Sequence, residues 1–169
     1  MNIFVVNSDP VLAAKDLCNK HVVKMSLETA QMLCYISYIN NGFKRIEEPY
    51  APCKPHLKHP CVLWANKSID NWNWLYEHGI ALFEEYTKRY KRKHKSMDVI
   101  LWAKDFGTKP TGKGLTDFVQ CMPEYCRSKD PIIGYRKFYV LEKSKFAVWK
   151  NCQPPQWYVD GLKNGLKDQ

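Results

Sequence analysis

The chain of 169 residues lacks any apolar run approaching the length of a membrane span, which excludes a helical transmembrane protein. It has little arginine. Only five of its 26 basic residues are Arg and the other 21 are Lys. Arginines read base edges and make bidentate pairs, whereas lysines act as point charges for phosphate. The short segment NIFVV near the start is too brief for the apolar core of an export signal, and Asp9 and Pro10 follow at once. A cytoplasmic protein is therefore expected, in a host cytoplasm if the chain is viral. No internal repeat, linker or second domain is visible, so residues 1–169 read as a single domain. A hydrophobic content of 45% with 14% aromatic residues excludes a disordered chain.

What is present is positive charge. The formal net charge is +9 at pH 7. Aromatic residues interleave with the lysines, a pattern that favours binding to a nucleic acid over charge kept only for solubility. A monomer with no membrane partner is expected.

Seven cysteines without an export signal read as free thiols. Cys53, His56, His59 and Cys61 are all zinc-competent. However, they crowd into nine residues with Pro55 and Pro60 between them, unlike the separated pairs of common structural sites. Cys121 and Cys126 could join them, but at no standard spacing. No metal and no cofactor are expected. The stretch Gly107–Gly114, GTKPTGKG, nearly spells a phosphate loop. Gly114 stands where Ser or Thr must meet magnesium, and a helix rather than a strand precedes it. Nucleotide hydrolysis is excluded, and a flexible phosphate-contacting loop remains.

The strongest local signal is the helical stretch His21–Tyr35, HVVKMSLETAQMLCY. His21, Lys24, Glu28, Gln31 and Tyr35 recur at i, i+3, i+7, i+10 and i+14 and share one stripe. An imidazole, an amine, a carboxylate, an amide and a phenol are the functional groups of a site. The plainer alternative is a half-exposed face with a Lys24–Glu28 pair at i,i+4. Asp9 with Pro10 marks an earlier short helix, and Asn40-Asn41-Gly42 a helix stop. Residues 43–62 read as a Pro-rich loop. Ser68 caps a second long helix carrying Trp72, Leu75, Phe83 and Tyr86, which runs into the basic residues 88–95. A short helix is expected near Met97–Phe106, a loop-rich stretch over 107–129, and a third long helix from Asp130-Pro131 to about Trp149. The fold class that follows is all-α, a single compact domain of three main helices with long connecting loops.

Three features in sequence order resemble one family. His21 and Glu28 lie seven residues apart on a helix near the N-terminus. His59 precedes a central helix that spans Trp72 to Tyr90. Pro155, Gln156, Trp157-Tyr158, Gly161 and Lys163 form the C-terminal motif. Together these are similar to the pyrimidine-dimer DNA glycosylases of T-even phages and their viral relatives, which are also abasic-site lyases. The resemblance implies an all-α enzyme acting on duplex DNA through an amine Schiff base without a cofactor.

Carried over to this chain, the resemblance makes the α-amine of Met1 the nucleophile. An α-amine has a pKa of about 8 against about 10.4 for Lys, so it is the better amine near neutrality. Asn2 is too large for efficient removal of Met1, and Met1 itself takes the terminal place. Glu28 would stabilise developing positive charge and shuttle protons, and His21 would orient the sugar or a water. Lys24 is a reserve nucleophile or a phosphate contact. Gln31, His59, Lys88, Arg89, Lys91, Arg92, Lys137 and Lys163 are expected to contact DNA. Trp157 and Tyr158 are expected to stack on a base or replace a displaced one. Leu27 directly precedes Glu28, and the basic residues that pinch DNA in the family are not apparent here. A damaged or modified pyrimidine is therefore the expected substrate rather than the dimer alone. A non-catalytic DNA-binding protein and a related base-modifying enzyme of phage DNA are the alternatives.

Overall fold

The computed structural model describes residues 1–164, and every regular element in it is helical. Eight α-helices follow in order: α1 Pro10–Asp16, α2 Asn19–Asn40, α3 Lys54–Leu57, α4 Pro60–Ala65, α5 Ile69–Tyr90, α6 Met97–Asp105, α7 Pro131–Phe138 and α8 Gln156–Asn164. The expectation of three main helices is corrected to two, α2 and α5, each of 22 residues, with six shorter helices around them.

The long pair forms because both stretches carry apolar residues at helical spacing. Val22, Met25, Leu33 and Ile36 of α2 are buried with Leu75, Leu82 and Phe83 of α5 and Ile100 of α6. The crossing is close. A Cβ on Gly79 of α5 would lie 2.8 Å from Thr29 Cγ2 and 2.6 Å from Ile100 Cδ1. Gly79 thus sets how near α5 comes to α2 and α6.

Local signals set most of the ends. The Asp9 side chain accepts the Leu12 N–H at the start of α1, with Pro10 in the first turn. Ser68 Oγ accepts the Asn71 N–H at the start of α5. The 107–114 loop is pinned to that same end, not free: Ser68 Oγ donates to the Gly114 carbonyl, and the Ile69 N–H donates to the Gly112 carbonyl. The expected loop over 43–62 contains α3 and the start of α4.

The expected third long helix is corrected too. Regular α-helix ends at Phe138, and Tyr139–Lys143 widen into a π-turn. Phe138, Tyr139 and Val140 are three consecutive residues, and all are buried. The chain then folds back, and Trp149 Nε1 donates to the Asp16 carbonyl.

The N-terminal segment is buried rather than peripheral. Ile3 to Val6 lie in the core, and Trp74 Nε1 donates to the Ser8 carbonyl. That packing brings the first residues against the middle of α2.

Candidate active site

Glu28 sits mid-helix on α2, in the stripe defined by His21 and Lys24, yet only 8% of it is exposed. Its burial comes from the N-terminal segment lying across it. The Asn2 backbone N–H donates to Glu28 Oε2 at 3.0 Å, and the Met1 α-amine is 3.8 Å from the same oxygen. Lys24 Nζ lies 3.7 Å from Oε1, so the i,i+4 pair exists as well. The Lys24 side chain is 69% exposed, which makes that ion pair a weak reason for placing a carboxylate here.

Asn2 fastens this end of the chain. Its Nδ2 donates to the Cys121 carbonyl at 2.7 Å, and its Oδ1 accepts the Tyr135 hydroxyl at 2.9 Å. Oδ1 also accepts the Ile3 N–H at 2.8 Å. The fastening sustains a φ of +56° at Phe4, a left-handed conformation that costs a non-glycine residue about 1–2 kcal/mol. The Phe4 ring then stacks on His21 with centroids 4.0 Å apart.

His21 is buried, and burial is the main force that pushes its pKa down to about 3; the charges of Lys143 and Lys24 act in the same direction. It is therefore neutral at physiological pH. Its Nδ1 meets the hydroxyl of fully buried Tyr139. That hydroxyl oxygen accepts the Cys18 N–H at 3.2 Å, and the hydroxyl also reaches Cys18 Sγ at 3.7 Å.

These groups face a cavity of about 390 Å³ lined by Met1, Asn2, Phe4, His21, Lys24 and Glu28, with Lys20, Lys143 and aromatic rings at its rim. Lys20 Nζ lies 4.7 Å over the Phe146 ring and Lys143 Nζ 4.0 Å over the Phe138 ring, so both ammonium groups sit on aromatic faces. One carboxylate surrounded by several cations and an α-amine suits an anionic substrate that develops positive charge at one atom.

The expected DNA contacts divide. Lys88, Lys91, Arg92 and Lys163 are exposed, while Gln31, Lys137 and His59 are half-buried. The C-terminal end of α5 abuts Asn19, which accepts from the Arg89 guanidinium at 3.3 Å. Arg89 is corrected. Its side chain is fully buried, bonds Glu85 at 2.9 Å, and donates to the Leu17 and Lys15 carbonyls. It satisfies the C-terminal end of α1 and cannot meet a phosphate. Tyr158 is corrected also: it is buried against Trp149 and offers no face for stacking. Trp157 is half-buried, with Nε1 donating to Asp16 Oδ2 at 2.7 Å and Arg136 over its ring. Asn2, Lys20 and Tyr139 were not singled out by the sequence reading. Neither periodicity nor a motif marks them.

The candidate metal ligands are rearranged. Cys53 is exposed, and His56 packs toward Tyr35. Among the described residues, the group that could hold a metal ion is His59, Cys61 and Cys121, whose ligand atoms all lie within 4.8 Å of one another.

The family model for pyrimidine dimer DNA glycosylase matches residues 1–98. The chain belongs to this family. The matched span includes Met1, His21, Glu28, His59 and all of α5, so the N-terminal segment and the α2 carboxylate are inside it. The family name specifies a DNA glycosylase, an enzyme whose substrate is DNA. Neither the curated proteins nor the solved structures yielded a match. No described helix is long and apolar enough to cross a membrane.

Proposed function

We propose that this DNA glycosylase acts on a damaged or modified pyrimidine in duplex DNA and is also an abasic-site lyase, with the Met1 α-amine as nucleophile. The observation that carries the reading is the approach of Met1 nitrogen to buried Glu28 across 27 positions of sequence, inside a lysine-rimmed cavity.

In this reading the unprotonated amine attacks C1′ of the deoxyribose. The glycosidic C–N bond breaks, and the base leaves with its electron pair and takes up a proton. The amine nitrogen loses a proton, the C1′–O4′ bond opens as O4′ takes up a proton, and the nitrogen forms an iminium with C1′. Glu28 Oε2 stabilises that positive charge and moves protons to and from the nitrogen. Removal of a C2′ proton then expels the 3′ phosphate, and water releases the amine. Neutral His21 orients a sugar oxygen or a water. Lys20, Lys24 and Lys143 hold the flanking phosphates, with Lys88, Lys91 and Arg92 extending that track. The chemical steps themselves need no metal ion.

Borohydride trapping tests the proposal. Reduction of the iminium should leave protein covalently joined to a cleavable damaged duplex. A protein that binds such duplexes but never traps and never cleaves one would instead be a binding module.

A further inference from the structure

Away from Glu28, the N-terminal segment touches a second chemical group that the glycosylase reading does not use. Cys61 begins the first turn of α4, and Cys121 lies in the long loop before α7. Sixty residues apart in sequence, their Sγ atoms stand 3.4 Å apart. His59, the cap residue of α4, completes a trio in which all ligand atoms lie within 4.8 Å.

We propose that His59, Cys61 and Cys121 form a binding site for one soft divalent transition-metal ion of the zinc type. The donor set decides the metal class. Two thiolates and an imidazole suit zinc and its tetrahedral relatives, not magnesium or calcium.

The spacing favours a metal over a disulfide. Two Zn–S bonds of about 2.3 Å at a tetrahedral angle set their sulfurs about 3.8 Å apart. A disulfide needs about 2.05 Å. The observed separation requires a small opening for the first and a much larger closure for the second. The imidazole is also in a suitable state. His59 Nδ1 accepts the Cys61 N–H at 3.2 Å, so its lone pair is at Nδ1 in the neutral ring. A metal would exchange that long hydrogen bond for a coordination bond.

Two hydrogen bonds to its backbone hold Cys121 in place. The Cys121 N–H donates to the Tyr135 hydroxyl at 3.2 Å, and the Cys121 carbonyl accepts Asn2 Nδ2. Three protein ligands leave a fourth position. His59 and Cys121 both line a cavity of about 500 Å³, through which a metal and a water ligand can enter. Bound metal would tie α4 to the 107–123 loop beside the segment that carries Met1.

The full reduced chain, kept in a phosphine reductant, is titrated with cobalt(II) as a spectroscopic stand-in for zinc. One equivalent should give thiolate-to-cobalt charge-transfer absorption with tetrahedral visible bands, and zinc should displace it. Cys121→Ser should weaken binding by more than the roughly 10–100-fold that loss of an outer-shell partner costs. His59→Asn, which keeps an acceptor at the cap, should do likewise. Both positions are half-buried, so these variants are better tests than the fully buried Cys61. Cys53→Ser should leave the titration unchanged. Absence of the charge-transfer band, or its survival in Cys121→Ser, overturns the assignment. The readout is absorbance without DNA, so its failure is separate from any failure of the glycosylase reading.

Discussion

The Met1 α-amine and the Glu28 carboxylate lie 3.8 Å apart, with Lys24 on the opposite oxygen of the same carboxylate. Glu28 therefore stands between two amines, and the identity of the nucleophile reduces to which of them the carboxylate serves. Met1 is held in place through the fastening of Asn2, while Lys24 is largely exposed and free to swing.

Glu28→Gln should reduce base excision about a hundredfold or more, because an amide cannot stabilise the cation or accept its proton. Stability and DNA affinity should change little. Single-turnover rates on a cleavable damaged duplex check this. A rate within a few-fold of the parent would reduce Glu28 to an ion-pair partner of Lys24, worth about 0.5 kcal/mol.

Acetylation of the α-amine, or an N-terminal tag, should abolish borohydride trapping, while Lys24→Ala should leave it. Mass spectrometry of the trapped adduct should place the sugar on the N-terminal peptide. Trapping that survives the block and vanishes in Lys24→Ala assigns the nucleophile to Lys24 instead.

Affinity for duplex DNA should fall steeply with salt, by a log–log slope of several units, since each neutralised phosphate contributes about −0.9. Lys143→Ala should lower that slope by about 1 without changing which duplex is preferred. Fluorescence anisotropy between low and physiological salt measures both. A flat response contradicts the phosphate track.

Arg89→Ala should destabilise the protein by about 3–5 kcal/mol, because it removes the buried partner of Glu85 Oε2 and leaves two carbonyls of the α1 end without their donor. Lys88→Ala, one residue away and exposed, should change stability by less than about 0.5 kcal/mol. Urea denaturation separates them. Equal effects would contradict the buried role of Arg89.

Acid should unfold the protein through its buried histidines. Burial depresses His21 from its ordinary 6.5 to about 3 and His78 to about 4. Below pH 6.5 the unfolded chain binds protons that the folded chain refuses, so stability falls as pH drops from 6.5 toward 3. His21→Gln should flatten part of that loss in denaturation midpoints measured across this range. An unchanged profile would mean that His21 is protonated in the folded state.

The sequence by itself determined the all-helical class and much of its punctuation. Asp9 with Pro10 and Ser68 cap where local hydrogen bonding predicts. The polar stripe through His21, Lys24 and Glu28 was legible because it repeats with the helical period. The end of the third helix was not legible: no local pattern announces the π-turn at Tyr139–Lys143. The tertiary structure alone decided what surrounds Glu28. The contacts of Met1 and Asn2 with Glu28, of Tyr139 with His21 and of Cys121 with Cys61 join positions 26 to 118 residues apart. Such contacts form because apolar faces bury one another, and their partners follow from helix crossing and chain path. Arg89 shows the converse: in sequence it is one more member of a basic run, and only the docking of α1 against α5 turns it inward.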